Sequence, residues 1–233
     1  MTNADNILFR CSSLGAIMTE PKEKKELLSV TCKDELTKMY IQHKYGRSKH
    51  ITSKYLEKGT VQEEESITLY SRFKKDFFQN NKARMTNEYL TGEWDIFKGG
   101  VVTDIKTSWD IFSFFKSKSE KIDKKYYFQL HGYAALLKAE KASLVYCLVN
   151  TPENLIESEK KSIWWKMGCP NEDSSELQAA YAEIEQNSNF DDIPIKERVI
   201  EHEIIIDQAV IQSIYDRIEL CRNWMNENLF NQE

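Results

Sequence analysis

At 233 residues, 41% of them hydrophobic and 12% aromatic, the chain is long and apolar enough to bury a sizeable core, and a single elaborated domain is expected. Charged residues make up 30%, mean hydropathy is -0.58, and no apolar run approaches the roughly 18 residues that a membrane helix needs, so membrane spanning is excluded. The net charge of -5 argues against a surface committed as a whole to nucleic acid, so any such binding has to be local.

The opening segment MTNADNILFRCSSLG has neither the basic region nor the apolar run of a secretory signal. Cys11, Cys32, Cys147, Cys169 and Cys221 are odd in number, scattered and without a CxxC pair. Reduced thiols in a cytoplasm fit this pattern better than a disulfide framework or a zinc site. In chain order, 23–45 and 53–78 read as helices, the second a long one. Two β-prone runs around Gly99-Gly100 predict a hairpin over 88–108, followed by a lysine-rich connection, a helix over 123–138 and the apolar strand ASLVYCLVN at 142–150. Residues 153–188 read as peripheral helix, RVIEHEIII at 198–206 alternates like a half-buried strand, and 209–228 closes as an amphipathic helix. Strands and helices interleave around a short mixed sheet, which predicts an α/β fold with added helices.

The hairpin carries chemistry. With Gly99 and Gly100 as its loop, counting back along both strands sets Asp95 opposite Asp104, and Lys106 shares the face of Asp104. Like charges directly opposite destabilise a hairpin by some tenths to about 1 kcal/mol. A hard divalent cation between the carboxylates explains the arrangement; a solvated strand face with chance charges is the plainer alternative. In the long helix, steps of three and four from Leu56 give Thr60, Glu63, Ile67, Tyr70, Phe73 and Phe77, so Glu63 falls on a largely apolar stripe while Glu64 and Glu65 turn away. An acid on such a stripe is paired, metal-bound, or at a helix edge facing a lysine. In YYFQLHGYAALL, Gln129 and Tyr133 share a helix face, either as a core tyrosine with its glutamine or as a polar pair orienting the lysine, a carboxylate or a phosphate.

Glu63 on a helix, Asp95 and Asp-Ile-Lys at 104–106 on a hairpin, and Gln129-x-x-x-Tyr133 on the next helix together resemble the PD-(D/E)xK nuclease superfamily. More narrowly they resemble its phage-type branch, the lambda exonuclease and YqaJ-like recombinases. EKGTVQEEESITLY (57–70) is similar to that branch's Gly-x-x-x-Glu helix, with Gly59 four before Glu63, and YYFQLHGY to its Gln-x-x-x-Tyr helix. FRCSSLGAIM (9–18) is similar to its amino-terminal segment, where an Arg and a Ser contact DNA phosphate. The resemblance spans about 9–150. Trp94 stands where the nominal proline precedes the first acid, and the acid of the D/E-x-K element is Asp104.

The resemblance implies a restriction-endonuclease-like core; with the length and the elements read above, one domain over 1–233 is expected, in which residues 151–233, outside the resemblance, add peripheral helices, a strand and a closing helix. It implies Mg²⁺, with Mn²⁺ as substitute, held by Glu63, Asp95, Asp104 and the Ile105 carbonyl, with Lys106, Gln129 and Tyr133 completing the catalytic set. The implied activity is digestion of linear double-stranded DNA from its ends, 5′ to 3′, in phage-type recombination. A homo-oligomer, a trimer first, and a single-strand annealing protein are the implied partners. A structure-specific or restriction-type endonuclease and an inactive DNA-binding module are the alternatives. An iron–sulfur cluster is not expected, because Cys147, Cys169 and Cys221 lack close spacing.

For DNA contact, FKSKSEKIDKK (115–125) supplies Lys116, Lys118, Lys121, Lys124 and Lys125 against Glu120 and Asp123, as a phosphate track or a solvated loop. Beside it, Trp109, Phe112, Phe114 and Phe115 serve core packing, a subunit contact or stacking at a DNA end. Arg10 with Ser12 or Ser13 before a helix start is a terminal-phosphate site or a plain N-cap.

Overall fold

The computed structural model describes residues 3–49, 53–119 and 121–231. The chain enters through β1 (Phe9–Arg10), a 3-10 turn at Cys11–Ser13 and the single helical turn α1 (Leu14–Ile17), then forms α2 (Val30–Tyr45), α3 (Lys54–Val61) and α4 (Glu63–Lys74). Next come β2 (Met85–Thr86), β3 (Leu90–Gly92), β4 (Ile96–Lys98), β5 (Val101–Thr107), α5 (Ile111–Ser119), α6 (Lys124–Leu137) and β6 (Lys141–Cys147). The helices α7 (Glu153–Lys166) and α8 (Ser175–Gln186) precede β7 (Val199–Ile205), and α9 (Gln208–Met225) runs into a π-helical turn at Asn226–Phe230.

Two mixed sheets result, a small one ordered β1-β3-β2 and a larger one ordered β4-β5-β6-β7. In the larger sheet β5 pairs antiparallel with β4 but parallel with β6, and β7 returns antiparallel on β6. A parallel neighbour cannot be reached by a tight turn. The chain therefore crosses over through α5 and α6, and the crossover lays α6 on one face of β5. That face carries Val102 and Asp104 and joins the core of Leu130, Ala134, Leu144 and Ile218. The opposite face, with Ile105, Val145 and Val199, packs against Ile67 and Tyr70 of α4. Both faces are covered, so β5 and β6 read as apolar runs with polar exceptions. Among the described residues no helix is long and apolar enough to cross a membrane.

Several element boundaries differ from the sequence expectation, each for a local reason. The helix expected over 23–45 begins only at Val30, because Ser29 caps it by accepting the Cys32 N–H at 3.0 Å. The long helix expected over 53–78 is two helices broken at Gln62, whose φ of -101° and ψ of 12° leave the helical range; its side chain donates to the Asn150 carbonyl at 3.1 Å. The apolar stripe therefore holds only within α4, where Ile67 and Tyr70 are buried and Phe73 half-buried, whereas Leu56 and Phe77 are exposed. The hairpin expected over 88–108 is confined to β4 and β5: Leu90–Gly92 belongs to the small sheet, paired with β1 and β2. Gly99 and Gly100 form the tight loop, at φ of 60° and 79°. Part of the lysine-rich connection is the helix α5, and 153–188 divides into α7 and α8.

The amino-terminal turn meets α6 at very short range. A Cβ built on Gly15 would lie 2.5 Å from the Lys125 Cα, and one on Gly132 would lie 2.6 Å from Leu14 Cδ1. Gly15→Ala is expected to push α1 away from the start of α6 and to cost about 1–3 kcal/mol, the usual range for overpacking, read as a lowered urea midpoint. An unchanged midpoint would show that this contact does not fix the two elements.

Candidate active site

The candidate site forms where strand pairing runs out. The β4–β5 ladder pairs Lys98 with Val101, Phe97 with Val102 and Ile96 with Thr103, and stops there. It ends one residue short of the expected Asp95–Asp104 pair. Beyond it the Ile105 N–H donates to Asp95 Oδ2 at 2.5 Å, while the Trp94 carbonyl accepts from Asn81 Nδ2 at 3.0 Å. The Asn81 N–H in turn donates to the Asp95 carbonyl at 2.7 Å. The segment before β4 is thus tied by side chains in place of a ladder, with its carboxylate turned toward β5.

Asp104 is 2% exposed. Its Oδ1 accepts from Gln129 Nε2 at 3.1 Å, and its Oδ2 forms an ion pair with Lys106 Nζ at 2.7 Å. That ion pair is close in distance but offers Oδ2 no well-aligned hydrogen bond. Gln129 Nε2 also donates to the Tyr133 hydroxyl at 2.8 Å, so the i,i+4 pair of α6 acts as one bracket on the carboxylate. Glu63, the first residue of α4, is half-buried, and its Oε1 accepts from Asn80 Nδ2 at 2.5 Å. Glu64 and Glu65 are exposed, and Glu64 is engaged by Asn80 and Lys82.

The local field follows from burial and like charge. Burial first, and then the charge of Asp104, push the Asp95 carboxyl up to about 7. For Lys106 burial works against the ammonium, but the charge of Asp104 at close range outweighs it and holds the group above the usual lysine range. Burial and the Asp104 charge also raise the Tyr133 hydroxyl, which stays neutral.

Glu63, Asp95, Ile105, Lys106 and Gln129 line one cleft of about 890 Å³, whereas Asp104 and Tyr133 are buried and do not line it. Sequence reasoning missed Asn80, Asn81, Tyr55, Tyr126 and Tyr146. Tyr55, Tyr126 and Tyr146 line the cleft, with Trp109 on its rim, and the Tyr126 ring lies under both Lys106 Nζ at 5.0 Å and Lys125 Nζ at 4.5 Å. Tyr126 falls on the α6 face shared by Gln129 and Tyr133, whereas no spacing pattern marks Tyr55 and Tyr146, which come from separate elements. Among the described residues no three His, Cys, Asp or Glu side chains gather as a ready cluster for an ion.

The expected DNA contacts are distributed unevenly. Ser12 and Lys125 line the cleft. Arg10 and Ser13 line a different hollow of about 330 Å³, where Ser13 Oγ donates to Glu35 Oε1 at 3.0 Å. Neither of the two serines caps the turn or the helix that follows. Lys116 and Lys121 join Lys125 around a neighbouring hollow of about 210 Å³, whereas Lys118 and Lys124 are exposed outside both. Phe114 is core, while Phe112 and Phe115 are exposed. Glu120 lies outside the described residues.

No protein-family model matches the sequence, and no curated protein matches it. Solved structures do. The crystal structure of a phage-related exonuclease from Haemophilus somnus 129PT superposes with a TM-score of 0.76 at 25% identity, covering 98% of this chain and 97% of that one. An alkaline exonuclease from Laribacter hongkongensis gives 0.64 at 12% identity over 96% of this chain and 90% of its own. Its complex with dAMP gives 0.62 at 12% identity over 99% and 97%. At 12% the likeness is one of fold, and that fold is the nuclease-type α/β arrangement expected from the motifs.

The raised Asp95 carboxyl has a measurable consequence in EDTA. Its proton is bound more tightly in the folded than in the unfolded chain, so its contribution to stability is full below the ordinary aspartate range and lost as pH rises through about 7. Carbon-13 titration of Asp95 should give a midpoint near 7 that falls in Asp104→Asn, though not to the ordinary value, since burial remains. A midpoint in the ordinary carboxylate range in the wild type would contradict the buried arrangement.

Proposed function

We propose that this chain, a nuclease of the phage-type exonuclease branch of the PD-(D/E)xK superfamily by its fold and structural neighbours, hydrolyses phosphodiester bonds from the ends of linear double-stranded DNA with a divalent metal. The observation that carries this reading is the buried Asp104, bracketed by Gln129 and Lys106, with Asp95 and Glu63 on the same open cleft. The donor set fits a hard cation. It is all oxygen, it includes the buried Asp104 and the half-buried Asp95 carboxylates, and the Asp104 Oδ2 lacks an aligned hydrogen-bond donor.

Mg²⁺, or Mn²⁺ in its place, would be held by Asp95, Asp104, Glu63 and the Ile105 carbonyl, and would supply Lewis acidity toward the phosphate and water. The chain's own groups do the rest. Lys106 keeps its proton and directs the ammonium at the cleft, where it stabilises charge gathering on the phosphoryl oxygens. Gln129, which also donates to the Tyr133 hydroxyl, holds one oxygen of the Asp104 carboxylate and leaves the other to Lys106. Ser12 and Lys125 on the rim, and Lys116 and Lys121 beside it, give phosphate contacts on a chain of net charge -5. Direction 5′ to 3′, a role in recombination and an annealing protein as partner rest on the family resemblance.

Duplexes labelled separately at the 5′ and 3′ ends should lose the 5′ label first in Mg²⁺ or Mn²⁺ and stay intact in EDTA, and closed circles should resist. Cutting of circles would point to the endonuclease alternative, and cleavage undiminished in EDTA would falsify the metal reading. Glu63→Gln, Asp95→Asn, Asp104→Asn and Lys106→Ala should each lower the rate by at least about 10²-fold, while Glu64→Gln and Glu65→Gln stay near wild type. A dead Glu64→Gln beside an active Glu63→Gln would reverse the assignment of the helix acid.

The family resemblance also supports a homo-oligomer, with a trimer as the first expectation. Light scattering at working concentration tests it, and a strict monomer would remove the ring while leaving the chemistry in place.

A further inference from the structure

The helix α3 forms one wall of the cleft through Tyr55, Leu56, Gly59 and Thr60, yet it barely enters the core. Its one buried residue is Lys58. That side chain is 1% exposed, and its Nζ donates to the Trp109 carbonyl at 2.8 Å and to Thr151 Oγ1 at 3.0 Å. The ammonium also lies 5.7 Å from the centre of the Trp109 ring and 5.5 Å from that of Phe190. Its hydrogen bonds go to two uncharged oxygens, and burial pulls its pKa down to about 8, with the charge of Asp110 opposing. A lysine buried in this way is costly, and an apolar residue would ordinarily dock a helix.

The three points that Lys58 joins explain its place. Trp109 follows the site-bearing strand β5, Thr151 follows β6, and Lys58 is the centre of α3. The Tyr55 ring meets the Trp109 ring at 5.0 Å and 73°, and Lys54 Nζ lies over both, 4.9 Å from the indole centre and 5.5 Å from that of Tyr55. Without the ammonium, α3 would keep these half-exposed ring contacts, the Gln62 bond to Asn150, and two exposed ties to α7, Lys54 Nζ to Glu159 at 2.6 Å and Asn154 Nδ2 to Glu57 Oε1 at 3.1 Å, none of them buried. We propose that Lys58 is a positioning residue: its ammonium pins α3 to the ends of β5 and β6, and the wall so fixed governs how the nucleic acid is engaged while leaving the bond-breaking groups unmoved. The inference rests on the nuclease reading for its second half only.

Lys58→Met keeps the stem and removes the donors; Thr151→Val removes one acceptor and leaves the lysine. In Lys58→Met, amide exchange over 54–61 should rise about tenfold or more while α6 and β6 exchange as before. On linear duplex DNA in Mg²⁺, KM should rise about tenfold with kcat within about twofold, a split that a general loss of stability does not produce. Thr151→Val should shift both quantities in the same direction by less, and it carries the test if Lys58→Met does not fold. Unchanged exchange over 54–61 would overturn the anchor, and a fall in kcat at constant KM would overturn its role in engagement. If the wild type cleaves no DNA, the nuclease reading fails, and the exchange measurement alone decides the anchor.

Discussion

The carboxyl groups of Asp95 and Asp104 lie close enough for the charge of one to act on the other, in surroundings where two like charges repel far more strongly than in water. Most of the surroundings answer that repulsion. The Ile105 N–H is turned onto Asp95, Gln129 onto one oxygen of Asp104 and Lys106 onto the other. Even so, Asp95 holds a proton up to about pH 7, so the residual strain falls on one carboxyl, the one on the short strand's approach. A binding partner of opposite charge would relieve that strain.

Delivering those partners to one place is the work of the sheet topology. Because β6 lies parallel to β5, the intervening chain has to cross the sheet, and α6 lands on the face that Asp104 occupies. Its register then sets Gln129 and Tyr133, one turn apart, behind the carboxylate. The same helix receives the amino-terminal turn through glycine-only contacts at Gly15 and Gly132, which bring Ser12 to the cleft. Residues more than a hundred positions apart thereby meet on a single helix.

Much of this was legible in the sequence because it is periodic or local. Gly99-Gly100 fixes the hairpin register, alternation places Asp104 and Lys106 on one face, and a spacing of four pairs Gln129 with Tyr133. The α/β class follows from the interleaving of elements. Tertiary choices were not legible. The ladder's end at Ile96 depends on Asn81 reaching Trp94, a contact no strand pattern contains. The placement of Arg10 and Ser13 in one hollow and Ser12 in another depends on the twist of a three-residue turn. Nothing in the sequence marks Lys58, since its acceptors lie 51 and 93 residues away.

The break at Gln62 ties these strands of the structure together. In one continuous helix Glu63 would sit mid-helix, with its neighbouring N–H groups already bonded to carbonyls one turn back. As the first residue of α4, it stands with Glu64 and Glu65 at the positive end of the helix dipole, which favours three adjacent carboxylates that would otherwise repel. The same break frees α3 to leave the axis of α4 and form the cleft wall, and Gln62 ties the junction to Asn150. Each half then needs its own attachment: α4 buries Ile67 and Tyr70 against the sheet, whereas α3 buries no apolar residue and has the ammonium of Lys58 as its one buried attachment, beside exposed contacts to α7. The acid and the wall are set by the same departure from helical geometry, so lengthening or shortening the junction by one residue would rotate them against each other by about 100°.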